Sequence, residues 1–498
     1  MVPWASESFY RYYDRSASTA RWRSLDERSW SRRGSLVEPS LPVFIVLPRQ
    51  LQGVRVLIGA TTSAVSSGGW RTAAGVLLVG MLLTSIASTV WSVVPAVAAS
   101  VFAWAALALL WPRLGRQQRI QAVTLSSVGI LALIWGVSHG AGLSIERVLG
   151  QNQPILSMLA SITWLRVLTP PVKDDEPELP RGRGTYLRSM VGVHAFGAVI
   201  NISAVVIMAD RLARSAPLTM SQGQLLSRTF TTVACYSPFI GGVALALAYT
   251  PGSSPGLLMV FGFPLSLAAM ALLAWYALSG RVDDLDNFRG YPIHLENLWL
   301  PMALAAVVLL GYGVTTGYSV LTLITMLTPV VAVVALLAQG GVPRARASFS
   351  DYVFTRLPEM GGELALFLGA GVLGAGLVAV FAAAEGWTPF TQFDAVSASL
   401  LLLAFVVTSL ICIHAVVVVS VAVPLVYTVS PDPTFLALAL AMGWGLGCAV
   451  NPMSGTNLIL GSRYGLSNWA IGRSNVPFSA TLYVLAVGLL FLYERTVM

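Results

Sequence analysis

The chain has 498 residues, of which 56% are hydrophobic and only 10% charged, with a formal net charge of +8. A soluble domain carries about 25% charged residues, so a soluble surface of this size is excluded. The mean hydropathy is +0.74, and the apolar residues fall in runs of roughly 18 to 25, the length a helix needs to cross the hydrocarbon.

The basic excess lies in the N-terminal tail (Arg11, Arg15, Arg21, Arg23, Arg28, Arg32, Arg33) and in short loops. That distribution reads as the positive-inside bias of a membrane protein and not as a nucleic-acid surface. Cys235, Cys412 and Cys448 stand in apolar context, which argues against a disulfide framework. The four histidines show no metal-ligand spacing. No nucleotide loop, Ser/His/Asp set or paired intramembrane carboxylates stand out, so the chain does not read as an enzyme and needs no cofactor beyond an ion such as Na⁺.

In chain order, 1–72 reads as a basic cytoplasmic tail and 73–92 as a first peripheral span. A first unit, 93–280, holds spans at 93–111, 120–137 and 142–165, a re-entrant hairpin at 186–211, a broken helix at 222–250 and a span at 256–278. The linker 281–297 lies along the interface, with Tyr291 and Trp299 at headgroup depth. The second unit, 298–498, holds spans at 298–316, 319–339 and 363–384, a hairpin at 398–428, a broken helix at 434–462 and a last span at 476–494. With every basic loop inside, the N-terminus is cytoplasmic, the C-terminus is outside and the two hairpins open to opposite faces. The fold class is therefore all-α: a polytopic membrane protein of about eleven transmembrane helices plus two re-entrant hairpins, in two inverted repeats.

The repeat rests on matched breaks. Ser237-Pro238-Phe239-Ile240-Gly241 and Asn451-Pro452-Met453-Ser454-Gly455 share polar-Pro-x-x-Gly inside apolar runs. Upstream, Asn201-Ile202-Ser203 aligns with Cys412-Ile413-His414, and the gaps from Ser203 to Pro238 and from His414 to Pro452 are 35 and 38 residues. A rival alignment pairs His194 with His414 and has a gap of 44 residues to Pro238. Proline removes an N–H and disrupts the preceding turn, and glycine lets the backbone bend and approach a ligand. Broken backbone in lipid is tolerated only where it is buried in protein or lines a polar cavity, so paired breaks point to a binding site. Helix N-termini there favour an anion, and freed carbonyls with Asn or Ser oxygens favour a cation.

The run Asn451-Pro452-Met453-Ser454-Gly455-Thr456-Asn457-Leu458 resembles the broken-helix loop of the ion transporter superfamily, which includes divalent-anion/sodium symporters and citrate and arsenite permeases. Asn201-Ile202-Ser203 is similar to a degenerate form of the Ser-Asn-Thr hairpin tip of that family. Gly361-Gly362-Glu363 through Gly369-Ala370-Gly371 is similar to its Gly-rich span before the second hairpin. The resemblance implies an elevator transporter, a homodimer, with Na⁺ sites between each hairpin tip and its break, near Ser203/Ser237 and His414/Asn451. The second tip departs from the family, reading Cys412-Ile413-His414, and His414 offers proton coupling instead.

The functional expectation is a secondary transporter in a bacterial inner membrane or equivalent, moving a small anion with Na⁺ or H⁺. Its site is expected around Asn201, Ser203, Ser237, Pro238, Gly241, Cys412, His414, Asn451, Pro452, Ser454, Gly455, Thr456 and Asn457. Partners are the solute and membrane lipids, and no nucleic acid. The alternative is a transport-inactive scaffold subunit of an envelope complex that keeps the fold.

Overall fold

The computed structural model describes residues 52–165, 179–214, 216–290, 299–315, 317–384 and 390–498. The arginine-rich start of the tail, the acid run at 174–178 and the linker residues 291–297, with Tyr291, lie outside the described residues.

Apolar runs bounded by charge, Gly or Pro form helices almost throughout, because in a chain this poor in charge the backbone must satisfy its own hydrogen bonds. The first helices are α1 (Gln52–Val90), α2 (Val97–Leu110) and α3 (Arg116–Ser138). The expected span at 142–165 is instead two short helices, α4 (Ile145–Gly150) and α5 (Gln153–Thr163). Pro154 stands in the first turn of α5, where its missing N–H costs nothing, and the buried Asn152 amide between the two helices donates to Phe367 O at 2.8 Å.

A helix–turn–helix follows, α6 (Arg183–Ile200) and α7 (Ser203–Leu212), then α8 (Met220–Val233), α9 (Gly241–Tyr249) and α10 (Pro255–Leu278). An isolated antiparallel bridge joins Arg181 and Arg289. After α11 (Trp299–Val314), α12 runs from Val320 to Asp351. The basic stretch with Arg344 and Arg346, expected as a loop, is helical. The chain turns at Gly340–Gly341, where Gly341 takes φ 65°, and resumes as helix behind Pro343.

One π turn (Tyr352–Arg356) and one 3₁₀ turn (Leu357–Met360) lead into α13 (Gly361–Ala383). A second helix–turn–helix, α14 (Ala395–Leu410) and α15 (Ala415–Val426), precedes α16 (Pro433–Val450), α17 (Gly455–Tyr464), α18 (Asn468–Ser474) and α19 (Val476–Val497). Asp394 caps α14, accepting the Ser397 N–H at 2.8 Å, and this bond holds its carboxyl below the ordinary carboxylate range.

Among the described residues, six helical stretches are long and apolar enough to cross a membrane: Gly69–Val90, Arg116–Ser138, Pro255–Leu278, Val320–Ala383, Pro433–Tyr464 and Val476–Val497. The fourth contains both α12 and α13. Shorter apolar helices add to these. This all-helical, apolar architecture is that of a polytopic membrane protein. Burial is uneven. In the most apolar 18 residues of Pro433–Tyr464, 89% of the residues are buried, against 22% in those of Arg116–Ser138. α16 is thus the central helix, with Phe435 through Met442 all at 0% exposure.

The glycines of α13 have a packing role. A Cβ on Gly376 would lie 2.2 Å from Gly129 O, and one on Gly129 would lie 2.6 Å from the Val372–Leu373 backbone. α3 and α13 therefore meet backbone to backbone, the small-residue packing that replaces the hydrophobic effect between helices in lipid.

Gly376→Leu should overpack this crossing and cost about 1–3 kcal/mol. Gly488→Ala on α19 adds its methyl into open space and should change stability by no more than about 1 kcal/mol, in the stabilising direction. Thermal unfolding of the two variants in detergent checks both.

Candidate functional site

Prolines alone do not break these helices. Pro264, Pro329 and Pro424 sit inside continuous helix. Pro238 and Pro452 sit in real gaps, between α8 and α9 and between α16 and α17. At the two gaps the side chain before the proline bonds both its own turn and a neighbouring segment. Ser237 Oγ accepts the Phe239 N–H at 3.3 Å and donates to Ala198 O at the end of α6. Asn451 Oδ1 accepts the Met453 N–H at 2.8 Å, and its Nδ2 donates to Ile413 O, in the turn between α14 and α15, at 2.9 Å. Each side chain holds its own unwound turn and ties it to the tip of a helix–turn–helix, a local bond that competes with the helix ladder.

Both tips carry a non-glycine residue at positive φ, Asn201 at 57° and Cys412 at 66°. These are the positions that the Asn201-Ile202-Ser203 and Cys412-Ile413-His414 alignment makes equivalent. Asn201 stabilises its own strained turn: its Oδ1 accepts the Ile202 N–H at 2.6 Å, and its Nδ2 donates to Phe239 O at 3.3 Å. His414 caps α15, with Nδ1 accepting the Val416 N–H at 3.2 Å, which makes Nδ1 the unprotonated ring nitrogen. Its ring stands edge-on to Trp444 at 5.6 Å.

The structure brings the two tips and two gaps together. A Cβ on Gly455 would meet Ile202 of the first tip at 3.3 Å. A Cβ on Gly242 would press into Trp444, which already contacts His414. A Cβ on Gly445 would lie 3.0 Å from the Cys235 sulfur. Asn451 follows six residues later, so the two gaps lie about 9 Å apart along α16. Ser203, Ser237, Pro238, Asn451, Pro452, Ser454, Thr456 and Asn457 are buried, while Gly455 is exposed. Asn201, Gly241, Cys412 and His414 are intermediate. Ser454 Oγ caps α17 by accepting the Asn457 N–H at 3.4 Å.

Sequence reasoning assigned the freed carbonyls of the gap to a cation. The structure gives the second gap's carbonyls to asparagine amides. Asn457 Nδ2 donates to Ala449 O at 3.2 Å and to Asn451 O at 2.9 Å. Asn475 Nδ2 also donates to Ala449 O, at 2.8 Å, and Asn468 Nδ2 donates to Pro452 O at 3.0 Å. Among the described residues, the hydroxyls of Ser203 and Thr456 and the Nε2 of His414 are left without a hydrogen-bond partner.

Several residues escaped the sequence reading. Ser227 Oγ donates to Asn457 Oδ1 at 2.7 Å and accepts from Asn475 Nδ2 at 3.1 Å. Arg228 is 8% exposed. Its Nε donates to Asn475 Oδ1 at 2.7 Å and its Nη2 to Ser474 O, the last carbonyl of α18, at 2.9 Å. The rings of Tyr276 and Phe478 each lie 5.7 Å from its guanidinium carbon. Among the described residues its partners include no carboxylate. A charged residue inside the apolar run 222–250 was the available signal. Asp210, by contrast, forms an ion pair with Arg463 at 2.9 Å and accepts from Tyr464 Oη at 2.8 Å, which fits an interfacial role.

The result is an unbroken hydrogen-bonded chain: Arg228, Asn475, Ser227, Asn457, Asn451, Ile413. It runs from the first broken helix, through the second gap, to the second tip.

No family model and no curated protein matches the chain. Among solved structures, the crystal structure of the Alcanivorax borkumensis YdaH transporter is similar over 89% of this chain and 90% of its own, with 15% identity and a TM-score of 0.34.

Asn457→Ala removes the acceptor of the Ser227 hydroxyl and two amide donations to carbonyls. It should destabilise the protein by about 1–3 kcal/mol for each group left unpaired. Thr481→Ala, which deletes an exposed hydroxyl bonded within its own helix, should leave the melting temperature in place in the same detergent assay.

Proposed function

We propose that the chain is a secondary active transporter for a small anionic solute, and that the solute binds between the two tips and the two gaps. In this reading each helix–turn–helix is a re-entrant hairpin, and the two halves are inverted repeats whose hairpin bundle moves against the remaining helices as an elevator. The observation that carries it is the meeting of two unwound proline turns with two strained tips inside an apolar helical body. Irregular backbone at such depth is costly unless it lines a site or a cavity.

The sign of the solute follows from the charges. Arg228 is a buried cation without an acidic partner among the described residues, adjacent in sequence to Ser227, which bonds the first turn of α17. The free N–H groups at the starts of α9 and α17 add partial positive charge. Ser203, Thr456 and His414 supply unpaired polar atoms. For coupling, a Na⁺ near Ser203/Ser237 or His414/Asn451 is one arm and a proton on His414 the other. A proton on His414 Nδ1 would remove the acceptor that caps α15, so protonation and tip geometry are linked.

The internal pairing of the second gap favours a second reading. A gap whose carbonyls are already held by asparagines is stable without a ligand, as a transport-inactive scaffold subunit would require. The two readings differ in ion response, because binding to the folded state alone raises its melting temperature.

Uptake of radiolabelled dicarboxylates and inorganic oxyanions into proteoliposomes, under imposed Na⁺ or pH gradients, tests the proposal. Asn451→Ala and Thr456→Ala should each lower initial uptake by about five- to a hundredfold, the weight of one buried polar contact. Unchanged uptake by both variants sinks the site. A scaffold would show no gradient-driven uptake, no ion-dependent shift in melting and a stoichiometric protein partner on purification. His414→Gln should flatten the pH dependence if protons drive the cycle and leave it intact if Na⁺ does.

A further inference from the structure

A polar cavity of about 290 Å³ opens where α1, the end of α2, the start of α3 and the start of α13 converge. Arg71, Arg113, Gln118 and Trp70 line it. The Arg113 guanidinium lies 3.9 Å from the Trp70 ring centroid, and that of Arg71 lies 5.5 Å from it. The Trp70 Nε1–H is buried and has no acceptor. The Gln118 amide nitrogen faces Gly362, where a Cβ would lie 2.3 Å from it. Glu359 is the acid of the lining, and it has a partner of its own. The cavity therefore presents two guanidiniums, an indole N–H and an amide against one carboxylate, a donor-rich set with excess positive charge. Phosphate oxygens suit such a set, because they accept several charge-assisted bonds at once.

A second cavity, of about 300 Å³, lies on three of these four helices, α2, α3 and α13. Trp104, Leu107, Trp111, Ala122 and Val123 line it, with Ser126 and Ser127 on one wall. Its residues stand one helical turn further from the charged helix ends: Ala122 follows Gln118, Ala365 follows Gly361, and Leu107 precedes Leu110. Val123 is 51% exposed, so the groove opens on the outer face of the helical body. A phosphate-binding pocket one turn from an apolar groove matches the anatomy of a phospholipid at the edge of a bilayer, with tryptophan at headgroup depth.

We propose that these paired cavities hold one acidic phospholipid. Its phosphate sits among Arg113, Arg71 and the Trp70 N–H, and an acyl chain lies along the groove beside Trp104 and Val123. The groove separates a lipid from free phosphate, which has no use for it. The excess of donors separates an acidic headgroup from a zwitterionic one.

Native mass spectrometry of the purified, delipidated protein, with phosphatidylglycerol or phosphatidylcholine added back in detergent, tests this. Each arginine near a membrane surface contributes a factor of about five to anionic lipid affinity. Phosphatidylglycerol should therefore be retained at least about fivefold over phosphatidylcholine, and Arg113→Gln should remove about fivefold of that retention. Trp70→Phe keeps the ring and deletes only the N–H. It should weaken phosphatidylglycerol retention by removing one donor to the phosphate, which keeps the test open if Arg113→Gln does not fold. Arg495→Gln, at the far end of α19, should change neither. Equal retention of the two lipids, or full retention by both cavity variants, overturns the proposal. Displacement of the lipid by millimolar inorganic phosphate would assign the pocket to a free anion and overturns the lipid claim as well.

Discussion

An unwound turn inside an apolar helical body leaves N–H and C=O groups with no water to receive them. The central part of this structure is organised around that constraint. Ser237 and Asn451 stand immediately before the two prolines. Each accepts the N–H two residues on and donates to a carbonyl of a helix–turn–helix tip. The same bond that makes the gap tolerable thus fixes which tip lies against it. Asn457, Asn468 and Asn475 then take the carbonyls that the lost helical turn of α16 would have bonded. Asparagine suits this position because one side chain both donates and accepts, so Asn457 can serve two carbonyls and still receive the Ser227 hydroxyl.

That arrangement demands close approach elsewhere. Trp444 and Gly242, Gly445 and Cys235, and Gly455 and Ile202 interlock only because one partner of each pair lacks a side chain. The α3/α13 crossing uses the same device at a distance from the gaps, with Gly129 and Gly376 letting two backbones touch. In lipid there is no hydrophobic gain from pressing two helices together, so contact area and hydrogen bonds must supply the specificity. The glycine-rich character of α13, which by resemblance belongs to a transport machinery, is accounted for physically as packing.

The gaps were legible in the sequence because their causes are local. A Ser or Asn immediately before a proline, with a glycine three positions after it, marks both gaps. The tip at Asn201 was legible for a similar reason, since Asn tolerates positive φ. Cys412 takes the same conformation without that chemistry and was found only by aligning its neighbours. The division of 142–165 at Gln151–Asn152 was missed, although Gly150 and Pro154 bracket it, because no polar-Pro-x-x-Gly pattern marks it. Arg228 and Asn475 were missed for a deeper reason. A charge within an apolar run marks Arg228, but its contact with Asn475, 247 positions away, is one that no spacing rule encodes. The helical continuation beyond Gly341 was hidden by its arginines, which mark a membrane edge equally well on a loop or on an interfacial helix.

The polar groups around the gaps divide into those the protein has already paired and those it has not. Asn457, Asn475, Asn468 and both pre-proline side chains are engaged with backbone, so replacing them disturbs the frame first. Ser203, Thr456 and the far nitrogen of His414 have no hydrogen-bond partner among the described residues, whereas the asparagine side chains a few residues away are engaged. The unpaired set lies at the first turns of α7 and α17 and at the cap of α15, where three helix N-termini concentrate partial positive charge. Arg228, whose partners are neutral, raises the potential further at the base of α17. An anion entering there would meet donors already oriented, at little reorganisation cost. A cation would meet the same positive field and carbonyls already bonded to amides. Under the proposed function an anionic solute would suit this geometry directly, and a coupling ion would have to enter through the tips, at Ser203 or His414.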